Sequence, residues 1–192
     1  MAEEKQPETE EEQGPALPQA LYDWLQALVM ALVCIILVFT FVGRFIYVSG
    51  HSMEPTLYDK DMMIIQELGY TPRQGDVVVL TKPSEIADGP IVKRVIATEG
   101  QTVEIDYEAS CVYVDGEKVD DSYLGEPMRQ PGDPNMSITS VTVPEGCIFV
   151  MGDNRNHSND SRDVRLGVID ERYVIGRAIF VVLPFENFGA IG

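Results

Sequence analysis

From Trp24 to Val42 the chain runs for 19 residues without a charge, and only Gln26 and Thr40 interrupt it with polar groups. Such a run restricts what the rest of the chain can be. At 1.5 Å of rise per residue, a helix of about this length crosses the hydrocarbon of a bilayer. The run is apolar on every side, whereas a helix buried in a soluble core is usually shorter and amphipathic. A cleaved signal peptide opens with basic residues and has a shorter apolar stretch, but here the preceding residues are acidic. Tyr22 and Trp24 stand at one end, where aromatic belts form. The sequence therefore predicts a retained transmembrane helix over 21–43, and with it a lipid bilayer as partner.

Ahead of that helix, residues 1–20 carry six Glu and one Lys with little apolar content, which predicts a solvated, disordered acidic tail. The whole chain carries −17, of which the tail supplies −5 and Asp23 −1, so the remainder holds −11. Nucleic-acid phosphates would repel such a chain, and no nucleic-acid partner is expected. Lys5 lies before the helix, Arg44 and Lys60 after it. By the positive-inside rule this gives no firm orientation and leans toward a cytoplasmic C-terminal side.

After Gly43 the pattern changes to short runs rich in β-branched and aromatic residues. These are Arg44–Val48, Met62–Gln66, Asp76–Leu80, Ile91–Ala97, Thr102–Asp106, Cys111–Asp115, Val141–Val143, Cys147–Met151 and Tyr173–Leu183. Turn residues such as Gly75, Pro83, Gly89-Pro90, Gly100 and Pro144 separate them, and Asp115-Gly116 is a strong hairpin signal. Residues 44–192 are thus expected to form an all-β domain of barrel or sandwich type. Three cysteines, Cys34, Cys111 and Cys147, fit no zinc or redox spacing. A Cys111–Cys147 disulfide and two free thiols both remain open.

Three segments carry chemistry. Ser52 sits in Ser49-Gly50-His51-Ser52-Met53-Glu54-Pro55-Thr56-Leu57, between a strand and a proline-driven turn, a rigid mount for a nucleophile. It is not a nucleophile elbow, because Glu54 stands where the second glycine should be. Taken alone it is an ordinary turn serine. Lys93 lies in the strand pattern Ile91-Val92-Lys93-Arg94-Val95-Ile96, sharing a face with Ile91 and Val95. A buried ammonium loses hydration and its pKa falls, and a neutral lysine can take a proton from a serine hydroxyl, which arginine cannot do. The plainer reading is an edge strand whose Lys and Arg reach water. The third segment, Gly152 to Arg162, packs hydroxyls, amides, carboxylates and two arginines behind an apolar strand. It reads either as a shell around a site, with Ser158 orienting the lysine and Asp160 paired to Arg162, or as a solvated polar loop. It lacks the offsets of an EF-hand.

In this order, the segments resemble the signature boxes of bacterial type I signal peptidases. The matching stretches are Ser52-Met53-Glu54-Pro55-Thr56-Leu57, Gly75-Asp76-Val77-Val78-Val79, Lys93-Arg94-Val95-Ile96 and Gly152 to Arg162, with Gly176-Arg177-Ala178 and Pro184-Phe185 near the end. The resemblance spans about residues 20–190. It implies a single-pass membrane protein, N-terminus cytoplasmic, with an extracytoplasmic catalytic domain of antiparallel sheets in a partly open barrel. It implies a serine endopeptidase that cuts signal peptides from translocated preproteins after small residues at −1 and −3, with no metal or cofactor. By the same resemblance Ser52 is the nucleophile, Lys93 the general base, Ser158 the hydroxyl that orients it, and Asp160 and Arg162 the supporting pair. Met53, Val48 and Val92 fall where the family lines its small substrate pockets. Some members place a serine two residues before the nucleophile to help hold the oxyanion. Here that residue is Gly50, so backbone N–H groups of Ser52 and the Gly50 region are expected to do so. This resembles the compact Gram-positive type. Only about fifty residues separate Ile96 from Cys147, few for an extra domain.

Other classes compete. A Ser-His-Asp triad would have to use His51 or His157, the only histidines, and would leave the lysine box without a role. The self-cleaving repressors of the DNA-damage response also use Ser and Lys on a related β fold, but carry a DNA-binding domain and no membrane helix. A non-catalytic membrane-tethered β module would keep the fold without the chemistry.

Overall fold

The computed structural model describes residues 17–41, 44–82 and 89–192, with side chains of the first segment described over 19–37. Most of the expected acidic tail, and the turn at Pro83, lie outside the described residues. The first unit is one α-helix, α1, Leu17–Phe41. It takes in residues 17–20, which the sequence had assigned to the tail. Its 25 residues give a length of about 37 Å at helical rise. The stretch Gln19–Leu37 has a mean hydropathy of 2.1 and is exposed throughout, Trp24 at 73%. A helix this long and apolar is able to cross a bilayer.

The second unit is all antiparallel β. Its strands are β1 Arg44–Tyr47, β2 Met62–Gln66, β3 Val77–Leu80, β4 Ile91–Ala97, β5 Thr102–Asp106, β6 Cys111–Val114, β7 Glu117–Lys118, β8 Ser140–Thr142, β9 Cys147–Met151, β10 Ile169–Asp170, β11 Val174–Leu183 and β12 Gly189–Ala190. A large open sheet runs β1-β2-β11-β3-β4-β9-β10, with β12 on β11; a smaller one runs β7-β6-β5-β8. The long β11 pairs with β2, β3 and β12 and shifts register three times, which lets one strand serve both halves of a curled sheet. Asp115 (φ 53°) and Gly116 (φ 81°) form the tight turn between β6 and β7 that the Asp-Gly pair predicts.

Alternation along β4 distributes its side chains to three apolar clusters. Val92 packs with Val48, Met53, Leu57, Val77 and Val79. Ile96 and Ala97 join the small sheet's Val103, Val112 and Val114 with Phe149 and Met151. Ile91 and Val95 join Val78, Leu80, Ile148 and Val150. Each fully buried aliphatic side chain contributes about 2 kcal/mol, so β4 is held from both faces along most of its length. Cys111 is buried and Cys147 half-buried; both are free thiols, and no disulfide joins them.

Candidate active site

The central strand β4 and the turn after β1 bring Ser52 and Lys93 together. Lys93 Nζ lies 2.7 Å from Ser52 Oγ and also donates to Val92 O at 3.1 Å. Lys93 is 3% exposed. Burial lowers its pKa from the ordinary lysine value to about 8; the nearby Asp160 charge works against this and Arg162 with it. No histidine hydrogen-bonds to Ser52 among the described residues. His51 instead pairs with Glu54 Oε1 at 2.7 Å, and the carboxylate raises the imidazole's pKa.

The polar loop after β9 wraps the serine turn. Asn154 N–H donates to Ser52 O at 3.0 Å, and Asn154 Nδ2 to His51 O at 3.0 Å. Thr56 Oγ1 donates to Asp153 Oδ2 at 2.5 Å. Asp153 in turn receives two hydrogen bonds from Arg94, Nε at 2.9 Å and Nη2 at 2.7 Å. Gly152 lies between these parts. A Cβ there would sit 2.2 Å from Ser158 Oγ and 2.4 Å from Ser52 O, so only a hydrogen fits.

Asp160 and Arg162 are fully buried and paired twice, Nε to Oδ1 and Nη2 to Oδ2, each at 2.8 Å. Burial alone would raise the Asp160 pKa, but the Arg162 charge and hydrogen bonds, with the Gly152 N–H at 3.0 Å, hold it below the usual range. Arg162 Nη2 also donates to Arg155 O, closing the loop on itself. Ser158 is buried beside Gly152, but its Oγ has no hydrogen-bond partner among the described residues. The expected Ser158–Lys93 hydrogen bond is therefore not formed in this geometry.

Two further expectations differ from the structure. Gly50, at φ 93°, gives its N–H to Asp59 Oδ1 at 2.9 Å, so that donor is unavailable to an oxyanion. Among the described residues the Ser52 N–H donates to no protein acceptor. Val48, Met53 and Val92, expected to line pockets, are 4%, 1% and 8% exposed and pack into the core below the site. Val92 does so because it alternates with Lys93 and turns to the opposite face of β4. The cavity over the Ser52–Lys93 pair, about 250 Å³, is lined by Ser49, Gly50, His51, Ile91, His157 and Asn159 as well as the pair itself. Arg94, Asp153, Thr56 and Asn154 had no assigned role in the sequence. An adjacent Lys-Arg pair in an apolar strand was the only hint.

A buried amine with a lowered pKa at hydrogen-bond distance from a hydroxyl, with an unused N–H on the hydroxyl's own residue, can support nucleophilic attack on a carbonyl. Known proteins share this chain's sequence over most of its length. The family model described as signal peptidase, peptidase S26, matches residues 21–183. A probable signal peptidase I-1 of Synechocystis sp. is 34% identical over 187 residues, covering 93% of this chain and 90% of its own. A signal peptidase I of Bacillus licheniformis is 34% identical over 184 residues, covering 92% of this chain and 96% of its own. A crystal structure of a signal peptidase I from Enterococcus faecalis is 28% identical, covers 56% of this chain and 97% of its own, and has a TM-score of 0.43.

Proposed function

The chain belongs to the signal peptidase family, peptidase S26, and from that premise we propose that it is a membrane-bound serine endopeptidase in which Ser52 attacks and Lys93 is the general base. As a member of that family it removes signal peptides. The finer reading rests on one observation: a lysine 97% withdrawn from solvent, with its Nζ 2.7 Å from the serine oxygen. With a pKa of about 8, roughly one molecule in ten carries the neutral amine at pH 7. Neutral Lys93 takes the Ser52 proton as Oγ bonds to the scissile carbonyl carbon. The oxyanion accepts from the Ser52 N–H. Collapse breaks the C–N bond, and Lys93 returns the proton to the departing amine of the mature chain. A water then attacks the acyl-enzyme with Lys93 again as base. In this reading Ser158, whose oxygen is unpartnered, takes a hydrogen bond from the amine as it swings between proton acceptor and donor. Asp160 and Arg162 keep the loop that carries it rigid.

The substrate partner is the signal peptide of a translocated preprotein. Ile91, Val92 and Lys93 pair with β3 on one side only, because β9 ends at Met151 opposite Arg94. Among the described residues this leaves one backbone edge beside the cavity on which an extended peptide could lie. The helix α1 is proposed to anchor the enzyme in the bilayer, with the N-terminus cytoplasmic and 44–192 extracytoplasmic. The test is cleavage of a preprotein by detergent-solubilised wild type, Ser52→Ala and Lys93→Met. Loss of cleavage in both variants is expected, and near wild-type turnover in either would refute the assignment. Protease accessibility of a tag at each end in closed vesicles checks the orientation.

A further inference from the structure

The Ser52 N–H can hold an oxyanion only if its peptide plane faces the cavity, and the plane has one rotational freedom that something must fix. The His51–Ser52 peptide is trans, so its C=O and N–H point in opposite directions within one plane. Whatever holds His51 O therefore aims the Ser52 N–H. His51 O accepts from Asn154 Nδ2 at 3.0 Å and, more weakly, from Glu54 N–H at 3.3 Å. The next plane is fixed in the same way, because Ser52 O accepts from the Asn154 N–H at 3.0 Å. One residue that does not line the cavity over the Ser52–Lys93 pair thus grips two successive carbonyls of the nucleophile turn. The grip is itself anchored: the neighbouring Asp153 is bound to buried Arg94 and to Thr56 of the same turn. Gly50, where a side-chain hydroxyl could have helped, has no side chain and has given its N–H to Asp59.

We propose that Asn154 is the positioning residue of the oxyanion hole, its side-chain amide turning the His51–Ser52 peptide so that the Ser52 N–H faces the reacting carbonyl. The inference deepens the reading of Ser52 as nucleophile and rests on it. Asn154 holds backbone carbonyls and does not line the cavity over the pair, so its effect should fall on the tetrahedral state and not on ground-state binding. Removing an oxyanion donor outright costs about 10²–10³ in kcat, and misaiming one that the Glu54 bond still partly holds should cost about tenfold.

The experiment uses the full chain in detergent with an internally quenched peptide spanning a signal-peptide cleavage site. Its variants are Asn154→Ala and Asn154→Asp, the second nearly isosteric but with an acceptor in place of the amide donor. The expected result is a kcat lower by about tenfold with KM within about twofold. A peptide aldehyde, which adds Ser52 Oγ to form a tetrahedral oxyanion, should lose affinity by the same factor, while the cleaved signal-peptide product binds as before. The rising pH limb should stay near that of wild type, since Lys93 is untouched. Unchanged kcat in both variants, a loss confined to KM, or an aldehyde affinity that does not follow kcat would each overturn the proposal. If Asn154→Ala is poorly folded by thermal melt, Asn154→Asp carries the test. Ser52→Ala and Lys93→Met run alongside: activity in them sinks the underlying mechanism, whereas inactivity there with a fully active Asn154→Asp sinks only the role of Asn154.

Discussion

Lys93 and Arg94 are adjacent on β4, each 3% exposed, and the strand sends them to opposite faces with opposite consequences. On one face Lys93 touches a serine hydroxyl and a backbone carbonyl but no carboxylate. Burial then dominates, and its pKa falls to about 8. On the other face Arg94 meets Asp153 with two hydrogen bonds, meets the carbonyls of Gly75 and Gly192, and lies 4.1 Å from the ring centroid of Tyr123. There the ion pair outweighs burial and the guanidinium stays charged. The difference shows that burial alone does not decide a base's pKa. A touching carboxylate keeps Arg94 charged, and among the described residues none touches Lys93, whose pKa falls.

The sharpest way to break this contrast is to put an arginine on the lysine's face. Lys93→Arg keeps a positive charge and a long side chain but cannot yield a neutral amine. On the proposed mechanism, which loses its general base, cleavage is expected to fall by about 10³-fold or more. Retention of a tenth of wild-type kcat/KM would mean that Lys93 acts only as a charge. The Arg94–Asp153 pair is tested next. Arg94→Met leaves Asp153 buried and uncompensated, which should cost about 3–5 kcal/mol in chemical denaturation, whereas Arg94→Met with Asp153→Leu should recover most of that. A double variant no better than the single would show that Arg94 matters through its other contacts.

The sequence made one half of this contrast legible and hid the other. Strands Met62–Gln66, Ile91–Ala97, Thr102–Asp106 and Cys147–Met151 have the bounds that their β-branched runs predict, because period-two patterning is a local property. The hairpin at Asp115-Gly116 is local for the same reason. The short β10 and β12 were not legible; each is two residues long and exists because a neighbouring strand offers it a ladder. At the site, the family's boxes named Ser52 and Lys93. The Arg94–Asp153–Thr56 chain spans 59 and 97 positions, and no spacing rule reaches that far. That the Gly50 N–H goes to Asp59 was not legible, because that acceptor is set by how the turn folds back. The pocket valines were placed by resemblance alone, and alternation turned Val92 inward.

A buried base that no carboxylate touches among the described residues burdens the fold in a pH-dependent way. Lys93 has a folded pKa of about 8 against an ordinary value of 10.5. Between those pH values the unfolded chain holds more protons, so stability rises as pH increases through this window. At pH 7 the folded state bears the full cost, about 3 kcal/mol for a shift of this size. Lys93→Met, an unbranched apolar side chain of similar length, should therefore raise stability at pH 7 by up to about that amount. The gain should shrink as pH passes 8 and be absent above 10.5. A thermal-melt series of both proteins from pH 6 to 11 reads it directly. A pH-independent difference would mean that the lysine is not the titrating group.

The smallest expected effect tests how finely the lysine face is balanced. Asp160 raises the Lys93 pKa through its charge and Arg162 lowers it, so the two oppose each other at the amine while binding one another twice. Asp160→Asn removes one side of that balance and leaves the Arg162 charge. The Lys93 pKa should then drop further below about 8, and the rising limb of kcat/KM against pH should move toward acid by less than about one unit. The same substitution strips a partner from a buried guanidinium, so lower thermal stability must accompany the shift. The two readouts separate the electrostatic role of Asp160 from its structural one. A melt that drops while the limb stays fixed would leave Asp160 as a partner of Arg162 alone. A limb that moves to higher pH would reverse the sign and show that the loop, once loosened, lets water back to the lysine.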